Sequence, residues 1–368
     1  MNHSQTSALE FLGLQRDFIS QHLDDWFLKE QVRYENIIPD MHYTFNRILR
    51  FSQSGKMIRG ALVLLLSKIH SERINHQWDK NALQLAAAME LFQSFLLIHD
   101  DIMDRDPIRR GQPAVYMQFA RDMEQNYKTN KENATRLGEA LGICVGDIAN
   151  FLGYEMISSS SLSTDLKAKL FSVVNYELTR VGLAQMQDVA WSGTRMSVPT
   201  TEAVLDMYIN KTGRYTFTLP MILGAILGNA TQEELTILYE LGDLLGILFQ
   251  IRDDEIGIFG DEKITGKPVG SDIEEGKKTI FLSELFSRCS EKEYKQLMET
   301  LNKSPMDKQQ VNDIIELMKT KGVLEFVQDQ KLVYKQKVAS SIDQLESISP
   351  MVRDLLFSLA DYCLQRTN

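Results

Sequence analysis

Two aspartate-rich segments carry the residue types from which metal and phosphate chemistry is built. Asp100-Asp101-Ile102-Met103-Asp104 repeats a carboxylate at four-residue spacing, which on a helix puts both groups on one face, about 6 Å apart along the axis. Hard oxygen donors of this kind suit Mg2+, which keeps several waters and takes further ligands from substrate phosphates. An acidic run is ordinarily a solvated helix face, and like charges at this spacing repel. This run, however, ends the most apolar stretch of the chain, Ala82 to His99, where uncompensated carboxylates are hard to keep. Asp253-Asp254 ends a second apolar stretch and is followed by Gly266-Lys267 and Gly276-Lys277-Lys278. Basic residues trail the first run as Arg109-Arg110 and precede it as Lys56 and Arg59 in SGKMIRG. Arginine offers phosphate oxygens a fork of donors and lysine a compact charge. Carboxylates for a hard cation and cations for an anion read together as a diphosphate site.

The elements that must position these groups are helical. No sustained period-two alternation occurs, whereas apolar residues recur at three- and four-residue spacing throughout, the signature of amphipathic helices. Ile237, Leu241, Leu244, Leu248 and Ile251 trace one stripe that delivers Asp253-Asp254 at its end, and the segment Ala82 to His99, apolar nearly all round, delivers Asp100. A helix without a polar face must be enclosed by others. Polar breaks fall at Ser71–Asp79, Arg121–Arg136, Ser158–Thr164 and Gly260–Lys278, but none is a long Gly/Ser or Pro linker. The expected architecture is all-α, one domain over residues 1–368, a bundle of many helices.

Composition excludes several classes. With 43% hydrophobic and 24% charged residues the chain is globular, and a net charge of −10 without a long basic run argues against a general nucleic-acid partner. The three cysteines, Cys144, Cys289 and Cys363, form no CxxC pair, which points to a reducing, cytoplasmic setting. The N-terminus lacks a basic segment followed by a long apolar core, so no signal peptide is expected. The longest uncharged run, Tyr215 to Gln232, is too rich in Thr, Asn, Gln and Pro to read as a membrane span.

The ordered set of motifs resembles the trans-type isoprenyl diphosphate synthases, which condense allylic and homoallylic diphosphates. The resemblance covers roughly residues 50–285. HDDIMDRDPIRRG is similar to the family's first aspartate-rich motif with its arginine pair, and FQIRDDEIGIFGDEKITGKPVGSDIEEGKK to the second. Between them, Ala184-Gln185-Met186-Gln187-Asp188 is similar to a GQxxD element and Lys211-Thr212-Gly213-Arg214-Tyr215 to KTxxY.

That resemblance implies a helical bundle around a deep central cavity, and roles for the residues that would line it. Asp100, Asp104 and Asp253 would bind Mg2+ bridging the allylic diphosphate, with Asp101 and Asp254 in support. Arg109, Lys211 and Lys267 would clamp that diphosphate, and Lys56, Arg59, Gln93 and Arg110 would hold isopentenyl diphosphate. Gln185, Asp188, Thr212, Gln250 and Lys277 would supply further polar or phosphate contacts. The allylic substrates would be dimethylallyl, geranyl and farnesyl diphosphates, and the protein a homodimer. Phe95, five residues before Asp100, and Phe92, one turn deeper, would set the floor beneath the growing chain. With no aromatic at Leu96 and no insertion in DDIMD, the pattern implies geranylgeranyl diphosphate, with farnesyl diphosphate as the alternative. A terpene cyclase would not need the Lys56, Arg59, Gln93 and Arg110 set. A non-catalytic partner subunit of a heteromeric synthase would be expected to have lost more of the motifs.

Three positions depart from the family pattern: Ser54 replaces a usual glycine, Gly60 a usual proline, and Gly257 the third aspartate of the second motif. Glu255 lies two residues short of Gly257 and ~200° round the helix, so it is no simple substitute. The loss is expected to weaken Mg2+ binding, and Gly257→Asp to lower the Mg2+ requirement.

Overall fold

The structure, a computed structural model, describes residues 7–34, 37, 42–71, 77–193, 198–260, 269–302 and 306–366. Helices make up nearly all of it, as expected. In chain order the first are α1 (Ala8–Tyr34), α2 (His42–Gln53), α3 (Ile58–Leu66), α4 (Lys80–Met103), α5 (Val115–Tyr127), α6 (Lys131–Ser158), α7 (Thr164–Gly193), α8 (Thr201–Met207), α9 (Leu219–Leu227) and α10 (Gln232–Phe259). Shorter helices and two long ones, Val323–Gln344 and Pro350–Gln365, complete the chain. Backbone contacts divide it into two compact units, Met1–Ser172 with Pro220–Ala230, and Val173–Leu219 with Thr231–Asn368.

In the first unit α4 packs along α6 and α3. Its start is fixed by Asp79, whose carboxylate accepts from the Asn81 N–H at 2.8 Å, the usual way to satisfy an orphan donor at a helix N-terminus. Ala86, Ala87, Ala88, Leu91 and Phe92 are almost wholly buried, and every residue of α3 is buried. Both α4 and α6 are long and apolar enough to cross a membrane by composition. In α4 that character fits a helix enclosed by protein, since 67% of its apolar window is buried.

The one strand pairing among the described residues is a hairpin, β1 (Ile108–Arg109) and β2 (Gln112–Pro113), antiparallel with Arg109 opposite Gln112. Strands of two residues are too short to show alternation in sequence. Arg121–Arg136, expected to be a polar break, is instead mostly helix. α5 runs to Tyr127 and α6 starts at Lys131, with the Asn130 side chain accepting the Asn133 N–H at 3.0 Å.

In the second unit α10 carries the anticipated stripe, with Leu241, Leu244, Leu248 and Ile251 buried. Its N-terminus is a capping box of Thr231 and Glu234. Alongside it runs an eleven-residue π-helical segment, Tyr208–Thr218, a conformation rare beyond single turns and frequent at functional sites. The two backbones meet at glycines. A Cβ added at Gly246 would stand 2.3 Å from the Gly213 Cα, a contact that only a backbone shift can relieve. Gly246→Ala should therefore destabilise the protein by about 1–3 kcal/mol, the usual cost of overpacking. Urea denaturation checks this, and an unchanged midpoint would show that the π-helical segment is not held by close approach.

Candidate active site

In the first unit the carboxylates of α4 lie at the helix's C-terminal end, where the macrodipole disfavours negative charge. Asp100 is half-buried, Asp104 is exposed and Asp101 is fully buried. Arg109, in β1, answers them. Its Nε donates to Asp101 Oδ1 at 2.6 Å, its Nη2 also pairs with Asp101, and the same nitrogen stands 3.8 Å from both Asp100 and Asp106. Burial nevertheless pushes the Asp101 carboxyl up to about 6. Arg109 is thus turned onto Asp101, a partnership that spacing alone did not reveal.

The Arg110 side chain crosses to the turn that follows α2. Its Nη1 donates to Ser54 Oγ at 2.8 Å and to the Phe51 carbonyl at 3.3 Å. Arg110 thereby reaches the turn that also carries Lys56. Arg59 is buried beside Glu90, a wholly buried carboxylate on α4, one turn before half-buried Gln93. Glu90 accepts the Gly60 N–H at 2.8 Å, a donor that a proline at 60 would lack. Burial raises the Glu90 carboxyl above its ordinary range and the Arg59 charge draws it back. Glu90 was missed in the sequence because it sits inside an apolar run. Phe92 is 1% exposed, edge-on to Tyr154 at 5.1 Å, and it fills the space that a side chain at Gly153 would need. Phe95 is half-buried beside His99.

In the second unit Asp253 and Asp254 face different surroundings. Asp253 is half-exposed and pairs with Arg366, whose guanidinium lies 3.8 Å over the Phe249 ring. Asp254 is buried and accepts from Gln250 Nε2 at 3.0 Å and from the Tyr208 hydroxyl. That hydroxyl in turn accepts the Ile280 N–H at 2.7 Å, and Gln250 accepts from Thr212 Oγ1 at 2.9 Å. Burial, with the Asp272 charge adding to it, pushes the Asp254 carboxyl up to about 8. Lys211 pairs with Asp188, so the GQxxD and KTxxY elements meet. Gln185 is half-buried one turn before Asp188. Lys267 lies outside the described residues.

Gly257 proves to be occupied space. A Cβ there would stand 2.0 Å from Asp272 Oδ2, so the Asp272 carboxylate fills the position into which a side chain at 257 would project. Asp272 is held by Lys277 at 3.0 Å. Burial works against the Lys277 charge, but Asp272 and Glu275 more than offset it and hold the ammonium above its usual range. Glu255 is engaged by Arg252 and Lys331 at 2.6 and 2.9 Å, in line with its exclusion as a substitute.

The donors fit Mg2+. They are hard carboxylate oxygens at a helix end that opposes them, and Asp101 Oδ2 is buried without a hydrogen-bond partner. Among the described residues no three carboxylate, imidazole or thiolate groups gather on one point.

This fold, with acidic helix ends answered by arginines and lysines, defines the helical isoprenoid synthases. The profile of the polyprenyl synthetase family matches residues 44–318. The chain is 32% identical to the short chain isoprenyl diphosphate synthase of Methanothermobacter thermautotrophicus, over 85% of this chain and 86% of that one. It is 31% identical to the geranylgeranyl diphosphate synthase of Saccharolobus solfataricus, over 86% and 88% respectively. Geranylgeranyl pyrophosphate synthase of Corynebacterium glutamicum, solved with isoprenyl diphosphate and magnesium, superposes with a TM-score of 0.80 at 27% identity, covering 97% of this chain and 99% of that one. The chain belongs to the polyprenyl synthetase family and is a prenyltransferase.

The Gly257 finding reverses the expectation of a latent ligand. Gly257→Asp should raise the Mg2+ concentration needed for half-maximal rate, because a second carboxylate would displace Asp272 from Lys277 and repel it. Relief by Asp272→Ala in the same chain, measured in Mg2+ titrations, would confirm the collision. A lower Mg2+ requirement in the single variant would contradict it.

Proposed function

We propose that the chain condenses isopentenyl diphosphate with dimethylallyl, geranyl and farnesyl diphosphates to give geranylgeranyl diphosphate. The observation that carries this reading is the pair of acidic helix ends, Asp100 to Asp104 on α4 and Asp253-Asp254 on α10, each answered by basic side chains. Asp100, Asp104 and Asp253 would hold Mg2+, which when bound neutralises charge accumulating on the leaving diphosphate. Lys211, Lys267 and Lys277 bring positive charge to that diphosphate, and Arg109 does so while keeping Asp101 in place. Lys56, Arg59, Gln93 and Arg110 orient isopentenyl diphosphate so that its double bond meets the allylic carbon as the C–O bond breaks. Thr212, Gln185 and Gln250 steady these groups.

The product assignment draws support from the names of several relatives and from Phe95. Phe92 is committed to the contact with α6, so Phe95 is the better floor and a pocket closing at farnesyl length the weaker reading. A homodimer in the cytoplasm completes the proposal. Exposed Tyr176, Leu183 and Met186 along α7 offer an apolar face for a second copy.

The test is incubation with labelled isopentenyl diphosphate, each allylic primer and Mg2+, with product chain length as the readout. The twenty-carbon diphosphate is expected, and Phe95→Ala should lengthen it by at least one five-carbon unit. A protein that leaves isopentenyl diphosphate untouched would be a cyclase or a partner subunit. An unchanged product from folded, active Phe95→Ala would place the floor elsewhere.

A further inference from the structure

Arg110 sits at the tip of the β1–β2 hairpin, and both turn residues have positive φ, 54° at Arg110 and 72° at Gly111. A two-residue loop with that pair of angles is the type I′ turn, which matches the twist of the strands but favours Asn or Gly at its first position. Arginine there carries backbone strain, and such strain persists where the surroundings hold the residue. What holds it is the turn after α2. Nη1 donates to Ser54 Oγ at 2.8 Å and to the Phe51 carbonyl at 3.3 Å, and the guanidinium lies 5.6 Å from the Phe51 ring centroid. Gly55 leaves room for it, since a Cβ there would meet Arg110 Nη2 at 2.9 Å.

Ser54 makes this seat directional. Its hydroxyl donates its one proton to the Phe51 carbonyl at 2.7 Å, so only lone pairs are left to face Arg110. A glycine, the residue usual at this position in the family pattern, offers no such acceptor.

We propose that Ser54 is a positioning residue that fixes the Arg110 guanidinium, two residues along from Lys56, for the diphosphate of isopentenyl diphosphate. The proposal rests on the function given above, in which Arg110 binds that substrate. A side chain with the rotamer freedom of arginine loses entropy when it binds an anion, and pre-orienting it removes part of that cost beforehand. The gain is made equally in the ground and transition states, so it belongs in KM rather than kcat.

Ser54→Gly and Ser54→Ala should each raise the KM for isopentenyl diphosphate by roughly three- to tenfold, the net worth of one ordinary hydrogen bond. The kcat and the KM for the allylic substrate should change less than about twofold, and Ser54→Thr, which keeps the hydroxyl, should restore the wild-type value. In an Arg110→Ala background Ser54→Gly should have no further effect, because the serine acts only through the arginine. Melting temperatures taken in parallel separate this from a structural role. A uniform loss of stability and activity without selectivity for isopentenyl diphosphate would overturn the proposal, as would an additive effect in the Arg110→Ala background. An active wild type whose Ser54→Gly variant keeps its KM would refute the inference and leave the proposed function standing. A wild type that does not consume isopentenyl diphosphate would refute both.

Discussion

Carboxylates fixed inside apolar helices must be compensated, and much of the structure follows from how that is done. α4 and α10 each carry adjacent aspartates of which one is buried, Asp101 and Asp254. An isolated charge there is costly, so each has a dedicated partner set. For Asp101 it is the guanidinium of Arg109, brought back by a six-residue hairpin. For Asp254 it is a neutral set, Tyr208 and Gln250, and full burial with the Asp272 charge beside it raises that carboxyl further, to about 8 rather than about 6. Their neighbours Asp100, Asp104 and Asp253 are less buried, Asp253 pairing with Arg366 and Asp100 standing 3.8 Å from Arg109.

The same compensation explains the π-helical segment. A wider turn lets one short stretch present Tyr208 to Asp254, Lys211 to Asp188 and Thr212 to Gln250. Arg214 is directed to another set, Asp243 at 2.6 Å and fully buried Glu177 at 3.5 Å. Regular α-helical geometry would bring positions 211 and 214 back to nearly the same face. The glycine contact between 213 and 246 is what allows the segment to lie close enough for these short bonds.

Much of this was legible in the sequence, and the rest was hidden for physical reasons. Four-residue spacing is a local property of a helix, so the placement of Asp100 and Asp104 at the end of an apolar helix could be read directly. The stripe on α10 was readable for the same reason. The hairpin was not, because two-residue strands carry no periodicity, and Arg109 and Arg110 therefore took no definite conformation from sequence alone. Tyr208, Glu90 and Arg366 act through neighbours 46, 30 and 113 residues away, which no spacing rule connects. Gly257 is the instructive case. Judged against a motif it is a loss, whereas in space it is the room that Asp272, fifteen residues later, requires.

The central claim is that the acidic end of α4 binds diphosphate through a cation rather than repelling it. Calorimetric titration of inorganic diphosphate into the protein, with Mg2+ and with a chelator, tests this without depending on turnover. The account predicts binding in Mg2+ that weakens by at least roughly tenfold when the metal is removed or when Asp100→Asn and Asp104→Asn are introduced together. Equal binding with and without metal, unaffected by the two asparagines, would contradict it.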